Sequence, residues 1–249
     1  MCGRFVAASP PADIAAYFDV AEGAEAVLEP NYNVAPTTDV YVVYTDGGTR
    51  RLDPLHWGFV PSWAKDLSVG NRMINARAET IATKGAFKSS FAKRRCIIPA
   101  DGFYEWKAIP GQKKKQPFYI HPPAGEMFAL GGLWTQWTGT DPSGERVTVR
   151  STTIITGEPN EKMAEIHDRM PLLLPPSAWD EWLDPDQTDL DALGRFLVPA
   201  TKELIAIHPV STEVNNVRNQ GPHLVDEVPL PVADAEADAG GGEQLALGD

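Results

Sequence analysis

The sequence predicts an α+β fold, with a curved, barrel-like, mainly antiparallel β core flanked by helices. Three observations predict it. Runs rich in β-branched and aromatic residues fill the middle of the chain and are separated by Gly- and Pro-bearing turns. Strand and helix patterns do not alternate regularly, which disfavours a doubly wound parallel sheet. At 249 residues the chain is long enough for one substantial core, and a single domain with a tail is expected rather than two packed domains.

Taken in order, Ser9 before Pro10 and Pro11 reads as an N-cap followed by prolines tolerated in a first helical turn, and Ile14 and Phe18 then share one face. Val40 to Tyr44 is β-branched and aromatic, Asp46-Gly47-Gly48 is turn chemistry, and Arg50 to Val60 resumes an extended pattern, so a hairpin is expected. Cys96 to Trp106, Pro117 to His121, Met127 to Trp137 and Val147 to Thr156 are the further strands. Helical spacing fits Ala78 to Phe91, Pro159 to Ile166, Pro176 to Leu183 and Leu190 to Leu197, with a last strand near Leu204 to Val210. The domain is expected over residues 2–225, with an acidic tail over 226–249 in which Val232 to Asp249 has a disordered composition.

Composition narrows the function. No run approaches the roughly 18 apolar residues of a membrane span, and the N-terminus lacks the basic start and apolar stretch of a secretory signal. A soluble, cytoplasmic protein with no membrane partner is expected, and nothing points beyond a monomer. Cys2 and Cys96 offer neither a metal spacing nor a disulfide framework, so a special cysteine must act alone, and no metal or organic cofactor is implied. The motifs of zinc peptidases, phosphate-binding loops and serine-elbow hydrolases are missing.

The formal charge of −12 argues against a nucleic-acid partner, but its distribution weakens that objection. Residues 226–249 hold seven acidic residues and no Lys or Arg, which leaves 27 acidic against 22 basic side chains elsewhere. Lys65 to Lys115 holds twelve basic residues against four acidic ones, a local excess of +8. By itself such a segment reads as a solvated face.

Cys2 follows the initiator Met directly, and its small side chain permits removal of that Met. An α-amine and a thiol would then share one residue, with reference pKa values of about 7.7–8.0 and about 8.5. That pair suits aldehydes: the amine condenses to an imine and the thiol closes onto the same carbon as a thiazolidine, with proximity favouring closure. The plain alternative is a small buried cysteine at position 2 by chance.

Context decides between them. Met1-Cys2-Gly3-Arg4 is accompanied by Asn31-Tyr32-Asn33-Val34-Ala35-Pro36, Trp57-Gly58-Phe59-Val60-Pro61-Ser62-Trp63, Asn75-Ala76-Arg77-Ala78-Glu79, Ala100-Asp101-Gly102-Phe103-Tyr104-Glu105-Trp106 and Ile166-His167-Asp168-Arg169-Met170-Pro171. In that order, over roughly residues 2 to 225, these motifs resemble the SRAP family of abasic-site processing proteins. The resemblance implies that Cys2 reacts with the ring-opened aldehyde of an abasic site in single-stranded DNA to give a thiazolidine crosslink, with lyase and autopeptidase activities associated. It implies that Asn75 positions the Cys2 amine and thiol. Glu105 and His167 then handle protons, and Arg4, Asn33, Arg77 and Arg169 make phosphate or site contacts. Trp106 is the aromatic expected to stack on splayed bases.

These roles also stand on chemistry, since sugar ring opening needs an acid or base and imine formation must expel water. Read singly, Glu105 would be a surface strand residue, His167 a helix-terminal histidine, Asn75 a turn residue, and Arg77 with Glu79 a helix-start pair. Two departures from the family pattern are Thr38, where Gln is common, and Glu158-Pro159-Asn160 before the His167 helix. Two rival functions remain at this stage: an N-terminal-nucleophile peptidase working through Cys2, and a noncovalent single-stranded DNA-binding module.

Overall fold

The computed structural model describes residues 2–230 apart from Glu22, Ala24, Glu25, Ala124 and Pro142. Of the tail expected over 226–249, residues 231–249, with the whole of the stretch Val232 to Asp249 expected to be disordered, lie outside the described residues. Twelve strands are assigned among those described: β1 Phe5–Ala7, β2 Asn31–Val34, β3 Asp39–Asp46, β4 Thr49–Trp57, β5 Asn75–Arg77, β6 Arg95–Ala100, β7 Gly102–Lys107, β8 Gln116–His121, β9 Phe128–Thr140, β10 Arg146–Gly157, β11 Met170–Pro171 and β12 Ala206–Pro209. The helices are short: α1 Pro11–Tyr17, α2 Lys88–Lys93, α3 Glu161–Ala164, α4 Trp179–Leu183 and α5 Leu190–Gly194.

Five of the strands close into a barrel in the order β10-β4-β3-β6-β9, because β9 pairs back onto β10 from Gly132–Ile154 to Thr140–Arg146. Closure leaves these long strands no unpaired edge. Only the β4–β10 contact in the ring is parallel. The short strands β5 and β11 add to β10, β5 in parallel with Asn75 opposite Ile154. A second, fully antiparallel sheet runs β12-β8-β7-β1-β2. The expected barrel-like, mainly antiparallel core flanked by helices is the fold found.

Strand alternation divides the core in two. Val40, Val42 and Tyr44 join Cys96, Ile98, Trp134 and Ile154 with Phe5, Phe103 and Ile120 of the second sheet. Tyr41 and Val43 face the other way, toward Phe18, Phe91, Trp182 and Leu193 of the helical segments. Arg95, only 3% exposed, ties barrel to helices: its guanidinium donates to the carbonyls of Phe91, Ala92, Trp182 and Asp184, which the ends of α2 and α4 leave without helical donors.

Several elements differ from expectation. Ala78 to Phe91 is not one helix. A 3-10 turn at Ala78–Thr80 leads through loops to α2, because the Thr83 hydroxyl donates to the Thr80 carbonyl and Gly85 interrupts propagation. Ser9 does not cap α1; its hydroxyl and amide bind Asp101, and Pro10 occupies the cap position. Asp101 also divides Cys96 to Trp106 into β6 and β7, one in each sheet. Pro159 to Ile166 contracts to α3, capped by Asn160, whose side chain accepts the Met163 amide at 2.9 Å. At the C-terminal end, Leu204 closes a 3-10 turn and only Ala206–Pro209 is strand.

Candidate active site

The site is assembled from four separate stretches of chain. Cys2 is fully buried and packs in the core with Phe5 and Trp57. β1 holds this stretch down on both flanks, pairing with β2 and with Phe103 of β7. Asn75, at the start of β5, donates through Nδ2 to the Cys2 carbonyl at 2.9 Å. Its Oδ1 is buried and accepts no hydrogen bond among the described residues.

Glu105 reaches the same place through strand alternation. Phe103 and Glu105 point to one side of β7, toward the cluster containing Cys2, whereas Tyr104 and Trp106 point to the other. The Glu105 side chain is 5% exposed, and His167 Nε2 lies 3.7 Å from its Oε2. Burial pushes the Glu105 carboxyl up to about 7. Burial likewise pushes His167 below its ordinary value. Near neutrality the pair therefore combines a carboxyl that readily holds a proton with an imidazole that readily stays neutral.

The Cys2 thiol is pushed well up, first by burial and then by the nearby Glu105 charge. This corrects the expectation of a thiol with its ordinary ionisation: in this site burial favours the S–H form. Cys96, the expected inert cysteine, is also fully buried, with Sγ 3.4 Å from the Thr152 hydroxyl.

Other predicted site residues are placed around this centre. Arg4 Nη1 donates to Asn33 Oδ1 at 2.7 Å and to the Val214 carbonyl at 2.8 Å. The Asn33 amide in turn donates to the carbonyls of Val214, Asn216 and Asn219 and is 1% exposed. Both therefore act inward, fastening residues 214–219 against β1 and β2. Trp106 stacks near the Arg4 guanidinium and donates its indole N–H to Asn215 Oδ1 at 2.7 Å, on the face of β7 opposite Glu105. Arg77, the last residue of β5, is exposed.

Arg169 is not in the open. Its guanidinium binds both oxygens of Glu79, at 2.5 and 2.9 Å, and the Thr156 carbonyl at 2.6 Å. Its backbone N–H donates to His167 Nδ1 at 3.0 Å. Glu79 is thus hydrogen-bonded to Arg169 rather than to Arg77, and Arg169 ties the His167 loop both to Glu79 and to β10; only the tertiary structure joins these two motifs, 90 residues apart. Trp63 was also passed over: it is 67% exposed, while Trp57 is wholly buried and donates its indole N–H to the Ile74 carbonyl. The sequence marks both as tryptophans of one motif and cannot tell inward from outward. No group of three or more metal-ligating side chains occurs among the described residues.

Fold and site together define a class: a β-barrel protein that sets a buried cysteine against a carboxylate–imidazole pair. The chain belongs to the family described as SOS response associated peptidase (SRAP), whose model matches residues 1–217. It is 41% identical over 227 residues to the abasic site processing protein YoqW of Bacillus subtilis, covering 91% of this chain and 99% of that one. It is 34% identical to the abasic site processing protein YedK of Escherichia coli, covering 92% and 100% of the two chains. To the abasic site processing protein HMCES of Rattus norvegicus it is 30% identical, covering 87% and 70%. Among solved structures, a protein from Bacteroides thetaiotaomicron shares the fold, with a TM-score of 0.79, 22% identity and coverage of 92% of this chain and all of that one.

Proposed function

We propose that this protein processes abasic sites in single-stranded DNA by capturing them on Cys2 once Met1 has been removed. The observation that carries this reading is the convergence of Cys2, Asn75, Glu105 and His167 from separate motifs at one buried point. The names of the relatives support the substrate: each is an abasic site processing protein.

The chemistry follows from the protonation states. The abasic sugar must first open to its aldehyde, with a proton moved off the anomeric hydroxyl and one delivered to the ring oxygen; protonated Glu105 and neutral His167 form a suitable acid and base. The Cys2 amine, steadied by Asn75, attacks the aldehyde carbon. A C–N bond forms, the carbonyl oxygen leaves as water, and an imine results. The raised thiol ionisation makes this amine-first order the favourable one. The sulfur then bonds to the imine carbon while its proton passes, through Glu105 or His167, to the nitrogen, closing the thiazolidine. The net change is protein plus DNA minus one water.

Single-stranded DNA enters this reading as the partner because the chemistry needs an unstacked, accessible sugar. In this reading exposed Arg77 contacts phosphate, and exposed Trp63 and partly buried Trp106 stack on bases. Arg4, Asn33 and Arg169 contribute by holding the walls of the site, which is what their internal bonds accomplish. The protein is read as a monomer acting in the cytoplasm, at the nucleoid when bound to DNA.

The test is a denaturing gel of the protein incubated with an abasic-site oligonucleotide. A denaturant-resistant band is expected with wild type and with Cys96→Ala, and none with Cys2→Ala. A resistant band with Cys2→Ala would refute the reading. The peptidase alternative predicts instead repeated cleavage of a peptide with no stoichiometric adduct.

A further inference from the structure

His167 Nδ1 has two close neighbours that ask for opposite protonation. The Arg169 backbone N–H donates to it at 3.0 Å, which requires a bare nitrogen. Asp168 Oδ1 lies 2.9 Å away, and that contact is favourable only if Nδ1 carries a proton. One protonation state cannot satisfy both. With the amide in command, the neutral ring carries its proton on Nε2, facing Glu105 as a donor. With Asp168 in command, the proton sits on Nδ1 and Nε2 faces Glu105 as an acceptor.

We infer that Asp168 is a positioning residue that selects the tautomer of His167, letting one imidazole serve as proton donor and acceptor in turn within the proposed capture reaction. The inference rests on that reading, since ring opening and imine formation demand both roles at a single site. Asp168 itself is 87% exposed in its side chain and its close contact is with the ring; behind burial, its charge also adds, as the smallest influence, to the rise of the Glu105 carboxyl. The arrangement parallels the carboxylate that holds a catalytic histidine in one tautomer in hydrolase triads.

The remaining charges around the ring do not substitute for it. Glu105 on β7 faces Nε2, not Nδ1. Lys115, before β8, opposes protonation of the ring, and Arg169 commits its guanidinium to Glu79. In its own loop, Asp168 supplies the charge that favours the protonated imidazole, against the N-terminal amine and Lys115, which oppose it.

Nitrogen-15 imidazole NMR of the DNA-free protein reads the inference without depending on the capture chemistry. In wild type, His167 signals averaged between the two tautomers are expected. Asp168→Ala should move them to the Nε2–H tautomer and lower the protonation midpoint, and Asp168→Glu should restore both. In parallel, Asp168→Ala should slow crosslinking on the order of tenfold, short of the roughly 10²–10⁴ that loss of an acid–base group costs, with binding of intact single-stranded DNA unchanged. Identical tautomer signals and midpoint in Asp168→Ala would overturn the inference. If the NMR changes appear but wild type forms no adduct, the capture reading fails while the tautomer assignment stands.

Discussion

Glu105 holds a proton at pH values where a surface glutamate would have lost it. Its carboxyl rises from 4.5 to about 7 on burial, so the folded state binds that proton more tightly than the unfolded chain. The stabilising contribution is complete below the unfolded value and is lost as pH rises through about 7. Glu105→Gln should therefore raise stability at pH 8, by an amount on the order of 3 kcal/mol at most, and give little gain at pH 4. Denaturant melts at the two pH values check this; a gain equal at both would contradict it. The same substitution should abolish any inflection near pH 7 in the crosslinking rate.

His167→Ala should slow crosslink formation far more than it weakens binding to intact single-stranded DNA, because a proton carrier acts chiefly in the transition state. Single-turnover rates set beside a binding titration separate the two effects, and equal losses would leave His167 a structural role. At this scale much of the site was legible in advance. Cys2, Asn75, Glu105 and His167 sit in motifs whose side chains can carry the chemistry. What the sequence could not give was partnership. Read singly, Glu79 pairs with its neighbour Arg77 at a helix start, and only folding brings it to Arg169.

The elements explain how those residues meet. The two-residue repeat of β7 sends Glu105 toward Cys2 and Trp106 away from it, although the two are adjacent in sequence. Gly102 lets this strand lie against Tyr119: an added Cβ would stand 2.4 Å from its ring, and Tyr119 is anchored by a hydrogen bond to the Asp101 carbonyl. Gly102→Ala should therefore cost about 1–3 kcal/mol by overpacking, and should slow crosslinking by moving Glu105. Thermal melts and rates together check this; an unaltered protein would mean that β7 adjusts freely. The barrel strands were visible from β-branched and aromatic runs such as Val40 to Tyr44. Strands β1, β2, β5 and β11 span two to four residues, too few to show a period. The segment Ala78 to Phe91, expected as a helix, shows the converse: Ile81, Phe87 and Phe91 are buried, yet loop backbone delivers Ile81 to the core.

In the whole molecule, charge and fold work against each other. The chain is acidic at −12, yet Lys65 to Lys115 carries an excess of +8, and residues 231–249 add five acidic side chains with no basic one. Truncation after Leu230 should tighten noncovalent binding of single-stranded DNA at low salt, with the gain fading as salt screens it. Fluorescence anisotropy over a salt series checks this, and no difference at low salt would show that these charges lie too far from the DNA. β5 on the barrel, β7 in the second sheet and the loop bearing His167 bring their side chains together from separate parts of the fold.

The proposed capture requires that Cys2, freed of Met1, bonds to an abasic site. Intact mass spectrometry under denaturing conditions addresses it most directly, using wild type and Cys2→Ala with and without an abasic-site oligonucleotide. Expected are a Met-less wild-type chain that gains the oligonucleotide mass minus one water, and a Cys2→Ala chain that gains nothing. An unchanged wild-type mass, or an adduct of the same mass on Cys2→Ala, would contradict it.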